Sequence, residues 1–112
     1  IYDPNDPNDN MPMNEVYNDF KDNYNEMHKD NRVFNDKFFH CKANCQSAQR
    51  GPGGEMAACV LSDAKEAFDV LTFSNTLKAS RNDQVANRFG RTMGARYPTV
   101  PCRMICIFFY PK

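Results

Sequence analysis

The sequence predicts an all-α fold, a four-helix bundle with a C-terminal tail packed against it. Three observations carry this. Apolar residues recur at helical spacing in four separate segments. The stretch "RGPGGE" at 50–55 breaks the chain between two of them. The single stretch that reads as either strand or short helix, "CRMICIFFY" at 102–110, has no second strand pattern to pair with, so it is assigned to the tail. A chain of 112 residues is one domain by size.

Taken in order, residues 1–13 form an extended acidic arm. "IYDPNDPNDNMP" is dominated by proline, asparagine and aspartate, which favour turns over helix. The doubled "DPN" lacks the ligand spacing of a calcium loop. Helix one spans about 14–29, capped by Asn14, with Val16, Tyr17, Phe20, Tyr24 and Met27 on one stripe. Helix two spans about 36–49, capped by Asn35, with Phe38, Cys41, Cys45 and Ala48 aligned. Gly51-Pro52-Gly53-Gly54 ends it. Helix three covers about 55–73. Its apolar face holds Met56, Cys59, Val60, Ala64, Ala67, Phe68 and Leu71, and the small Ala57, Ala58, Ala64 and Ala67 let a neighbouring helix come close. Helix four starts near Ser80, which caps it with Asp83 three residues on. It uses Val85, Ala86 and Phe89 and frays at Gly90 or Gly94. The bundle thus occupies 14–97 and the tail 98–112.

Formal net charge is zero, but the two parts differ. Residues 1–36 hold nine acidic and three basic side chains, and the remainder five acidic and eleven basic ones. An acidic segment leaning on a basic body, or an anionic partner, follows from such a split. No lysine or arginine run alternates with aromatics, so nucleic acid is not a partner. No apolar run reaches the ~18 residues of a membrane span. A start at Ile1 is what a mature or excised product shows. Hydrolytic, phosphate-loop and zinc-protease motifs are absent, so the chain reads as non-enzymatic, without metal or cofactor.

Of the five cysteines, four form two CxxxC pairs, Cys41/Cys45 and Cys102/Cys106. Cysteines one helical turn apart run parallel and do not bridge each other without strain. They suit two partners elsewhere: Cys41 with Cys106 and Cys45 with Cys102 if the elements are antiparallel, or the reverse order if parallel. A four-cysteine zinc site and free buried thiols remain open alternatives. His40 points away from Cys41 on a helix and is a poor co-ligand. Cys59 reads as a buried small hydrophobe.

"DKFFHCKANCQSAQRGPGGEMAACVLSDAKEAFD" at 36–69 and "DQVANRFGR" at 83–91 closely resemble the serum amyloid A family, over about residues 17–97. The resemblance implies a cone-shaped four-helix bundle with the C-terminal tail wrapped around it. It implies a secreted protein that associates with lipid or lipoprotein surfaces, takes retinoid-like apolar ligands, binds anionic glycans and self-associates. The apolar positions available for ligand are Val16, Tyr17, Phe20 and Tyr24 on helix one and Met56, Val60, Ala64 and Phe68 on helix three. An anionic lipid or glycan would be met by Arg81, Arg88, Arg91 and Arg96, with Arg103 nearby. One departure stands out: the strongly apolar first helix of vertebrate members is here acidic and proline-broken. The cysteine pairs are also similar to serum-amyloid-A-like C-terminal domains of bacterial RHS-repeat proteins, which implies a membrane-acting effector as the alternative function.

Overall fold

The computed structural model describes residues 13–30, 35–71 and 77–111, without the side chains of 68–70 and 77–80. Residues 1–12 of the expected arm and the Phe68 side chain lie outside this set. Four long helices form: α1 Met13–Lys29, α2 Asp36–Ala48, α3 Pro52–Leu71 and α4 Leu77–Arg96. The tail adds a short helix α5, Cys102–Ile105, and a 3-10 turn, Ile107–Phe109. The ambiguous "CRMICIFFY" stretch is thus helical.

α2 is the central element. It meets α1, α3, α4 and the tail, and buries Phe38, Phe39, Cys41, Ala43, Asn44, Cys45, Ser47 and Ala48. Its closest neighbour is α4. A Cβ at Gly90 would collide with the carbonyl of Cys41, and one at Gly94 with the carbonyl of Cys45. The two glycines therefore do not fray α4, as expected from the sequence, but form the seam on which it presses against α2, and the helix continues to Arg96. Propensity alone makes glycine a helix breaker; the backbone contact it permits decides otherwise here.

The turn between α2 and α3 also departs from expectation. Gly51 alone takes a left-handed backbone conformation, φ 114°, which glycine adopts without a Cβ penalty. Pro52 then opens α3 at its first position, where a missing N–H costs nothing. Gly53 and Gly54 belong to the first turn of α3 rather than to a break. Asn35 precedes α2 but makes no side-chain cap. Its amide instead donates to the Met27 carbonyl at 3.2 Å, tying the end of α1 to the start of α2. Asn14 and Ser80 lie inside their helices rather than ahead of them.

Two disulfides fix the tail on α2, Cys41–Cys106 and Cys45–Cys102, each with Cα atoms 5.8 Å apart. The pairing is the antiparallel one. With these sulfurs joined in pairs, no thiolates remain for a four-cysteine zinc site. Cys59 is a free thiol but half-buried rather than core, with Sγ 3.7 Å from an Asp63 carboxylate oxygen.

Candidate functional site

Polar contacts hold α1 to α2. Arg50 grips Asp19 with two nitrogens, at 2.7 and 2.8 Å, and its own pKa is raised by that bond. Ser47 adds a hydroxyl at 3.1 Å. Lys42 meets Glu26 at 2.7 Å, and Asn23 donates to Gln46 at 2.7 Å. α1, within the acidic first third, thus pairs two of its acids with basic residues of the body, while residues 1–12 of the acidic arm lie outside the described residues. Val16 is the apolar anchor: it is fully buried against Ala57 and Ala58 of α3, with Phe20 and Leu61 packed around it.

α3 is turned opposite to its apolar pattern. Its buried face consists of Ala57, Ala58, Ser62 and Glu66. Ser62 donates to Asn44 at 3.0 Å, and Asn44 donates to Asn87 at 2.9 Å. Arg91 completes this buried network with a 2.9 Å bond to the same Asn44 oxygen. The stripe holding Met56, Val60, Ala64, Ala67 and Leu71 faces out, with Met56 51%, Val60 49% and Leu71 78% exposed. Tyr17 and Tyr24 of α1 are likewise exposed.

Between α1, α2 and α3 lies a cleft of about 310 Å³. Tyr17, Phe20, Tyr24, Met27 and Phe39 supply most of its wall, and His40, Ser62 and Asn87 its polar floor. α1 and α3 touch near Val16, and the cleft opens beyond that contact.

The expected ligand positions therefore divide. Tyr17, Phe20 and Tyr24 line the cleft; Met56, Val60 and Ala64 lie on the outer stripe; Val16 is core. Phe20 alone is half-buried in both the core contact and the cleft wall. Of the expected anion-binding arginines, Arg81, Arg88, Arg96 and Arg103 are exposed. Arg91 is corrected: it is buried, 7% exposed, and spends its guanidinium on Asn44. Nothing in the spacing of α4 distinguishes it from Arg88; only the Asn44 it reaches does so.

Sequence reasoning set His40 aside, yet it joins a cluster with Asp36 and Asp83, whose ligand-type atoms lie within 4.8 Å of one another. The Lys37 ammonium sits 3.3 Å from Asp83 and 3.6 Å from Asp36, a protein cation already in place. Burial holds the His40 pKa below its ordinary value although Asp83 stands 3.9 Å away. Burial likewise pushes Asp83 up. For Asp36, burial is outweighed by Lys37 and a bond with Asp83, and its pKa falls. This cluster clasps α2 to α4.

Residues 12–102 match the family model described as serum amyloid A protein. The chain belongs to the serum amyloid A family. Similar relatives include serum amyloid A-1 protein of Mesocricetus auratus, 46% identical over 69 residues, covering 62% of this chain and 56% of that protein. Serum amyloid A-3 protein of Mus musculus shows the same identity and the same shares. Serum amyloid A protein of Equus caballus is 43% identical over 76 residues, covering 62% of this chain and 69% of that protein. The chain thus spans a little over half the length of the first two. Among the described residues no helix is long and apolar enough to cross a membrane.

Proposed function

We propose that this serum amyloid A family member is a secreted, non-enzymatic protein that docks on lipid or lipoprotein surfaces through the outer stripe of α3. One observation supports it above others: α3 buries Ser62 and Glu66 while leaving Met56, Val60 and Leu71 in solvent. A solvated helix gains by the reverse arrangement, and a contiguous exposed apolar stripe marks a contact surface. An amphipathic helix of this kind lies in a lipid interface with its apolar face down.

The α1–α3 cleft takes a single apolar ligand of retinoid-like size in the same reading. Its volume is at the lower end of small-molecule sites, its aromatic wall is the usual composition, and Lys21, Lys65 and Glu66 beside it would meet a polar end of the ligand. The exposed arginines of α4 serve an anionic glycan without Arg91. Self-association brings α3 stripes of two copies together when no lipid is present. Nothing in the geometry specifically favours the bacterial effector alternative.

The test is flotation with neutral phosphatidylcholine vesicles and with serum lipoprotein. Met56→Asp with Val60→Asp should abolish co-flotation while the melting temperature holds. Undiminished flotation would remove α3 from the contact.

A further inference from the structure

We propose a second, separate lipid contact on the tail: an apolar knob of Met104, Ile107 and Phe108 that inserts at the interface of a negatively charged bilayer. Phe108 is 86% exposed, and Met104 and Ile107 are each 63% exposed. Large apolar side chains this open, side by side in a short segment, form a contact patch rather than scattered surface residues. The backbone beneath them is fixed. Cys102 and Cys106 are buried and bonded to α2, Phe38 stacks edge-on against Tyr110 at 4.7 Å, and Tyr110 donates to Asp30 at 2.6 Å. A preorganised knob loses little conformational freedom on insertion.

Charge selects the occupant. From 77 to 111 the chain carries six lysines and arginines, of which Arg91 is buried, and one acid, Asp83, buried as well; the acids beside Arg103 and Ile107 are Glu26, paired with Lys42, and Asp30, which accepts from Tyr110. Arg103 is exposed beside Met104. Arg88 is exposed next to Phe89, whose ring meets Phe109 at 5.4 Å, and Phe109 meets Phe108 at 5.6 Å. Basic residues around exposed aromatics suit an anionic leaflet, at about 1 kcal/mol per cation near the surface. The α3 stripe has the opposite surroundings: from 52 to 71 the chain holds four acids and one lysine. The two patches also sit on different elements attached to α2 at different positions. The tail joins α2 through Cys41 and Cys45, whereas α3 meets α2 through Asn44 and contacts α4 and α1. The tail contact therefore stands independently of the α3 reading, with a different lipid charge.

The chain contains no tryptophan, so Phe108→Trp creates a sole reporter at the knob. Its emission should shift to the blue on phosphatidylcholine vesicles containing phosphatidylserine, stay put on pure phosphatidylcholine, and return at high salt. Ile107→Ser with Phe108→Ser should weaken partition into the anionic vesicles about tenfold. Arg103→Glu should weaken it too while keeping the apolar knob. Met56→Asp with Val60→Asp should leave this signal unchanged, even if it abolishes neutral-lipid binding. No blue shift, an equal shift on neutral vesicles, or undiminished sedimentation of the serine variant would overturn the proposal. So would a dimer that dissociates on Phe108→Ser without any vesicle partition, which would assign the knob to a second copy.

Discussion

α2 and α3 invert each other. α2 reads as the more polar helix, with Lys42, Asn44, Gln46 and Ser47 among its residues, yet it is buried on nearly every side. α3 carries the richer apolar pattern and presents that pattern to solvent. Burial here follows position, not composition. α2 sits between four neighbours and satisfies its polar groups inside, where each buried amide or hydroxyl must find a partner. α3 covers one flank of α2 with two alanines, a serine and a glutamate, so its large side chains have nowhere to go but outward. A helix that keeps its best apolar surface outside is shaped for something beyond the chain.

If that contrast is right, the largest loss should come from the α2–tail junction. Replacing Cys41, Cys45, Cys102 and Cys106 all with serine opens both bridges, between residues 65 and 57 apart in sequence, and should cost at least about 4 kcal/mol, seen as a drop of more than about ten degrees in melting temperature. A melting temperature within about two degrees of the parent would show that packing alone holds the tail. Next comes the glycine seam. Gly90→Val drives a side chain into the Cys41 backbone and should cost about 3 kcal/mol by denaturant titration; a neutral result would mean that α2 and α4 can part easily.

The third effect is a slope rather than a step. His40 is half-buried with its pKa lowered from 6.5, facing Asp36 and Lys37 on its own helix, Asp83 on α4 and Lys65 on α3. The fold favours the neutral ring, so as pH falls below 6.5 the unfolded chain binds the extra proton first and stability declines. His40→Gln should flatten that part of a urea-midpoint profile; an unchanged slope would clear His40 of the pH response. Asp83, with its raised pKa, gives the opposite slope just above 3.8. The smallest effect belongs to α3. Met56→Asp with Val60→Asp should move stability by less than about 0.5 kcal/mol per site. A large loss would mean that the stripe is internal packing after all.

Much of this was legible beforehand. The 3.6-residue spacing located four helices, and the parallel pointing of Cys41 and Cys45 excluded a bridge between them and offered the antiparallel pairing that forms. What stayed hidden depends on which face turns inward. Ala57 and Ala58 do let a helix come close, as their size suggested, and pack against Val16; what the pattern did not show is that Met56 and Val60 beside them stay outside. Gly90 and Gly94 look like breakers until another helix lies on them. Arg91 looks like Arg88 until Asn44 is found beneath it. The Asp36–His40–Asp83 clasp joins residues 47 positions apart, beyond any local signal. The domain limits drawn at 13 and 98 remain a proposal, since 1–12 lie outside the described residues.

The turn between α4 and α5 is accessible, with Tyr97, Pro98, Thr99 and Pro101 all exposed. A protease cutting there would sever the peptide and yet release nothing. Both bridges lie beyond the cut, so the last residues would travel with the body as a second chain, intact on a non-reducing gel and shed only after reduction. The molecule can thus be nicked into a two-chain form without losing its tail.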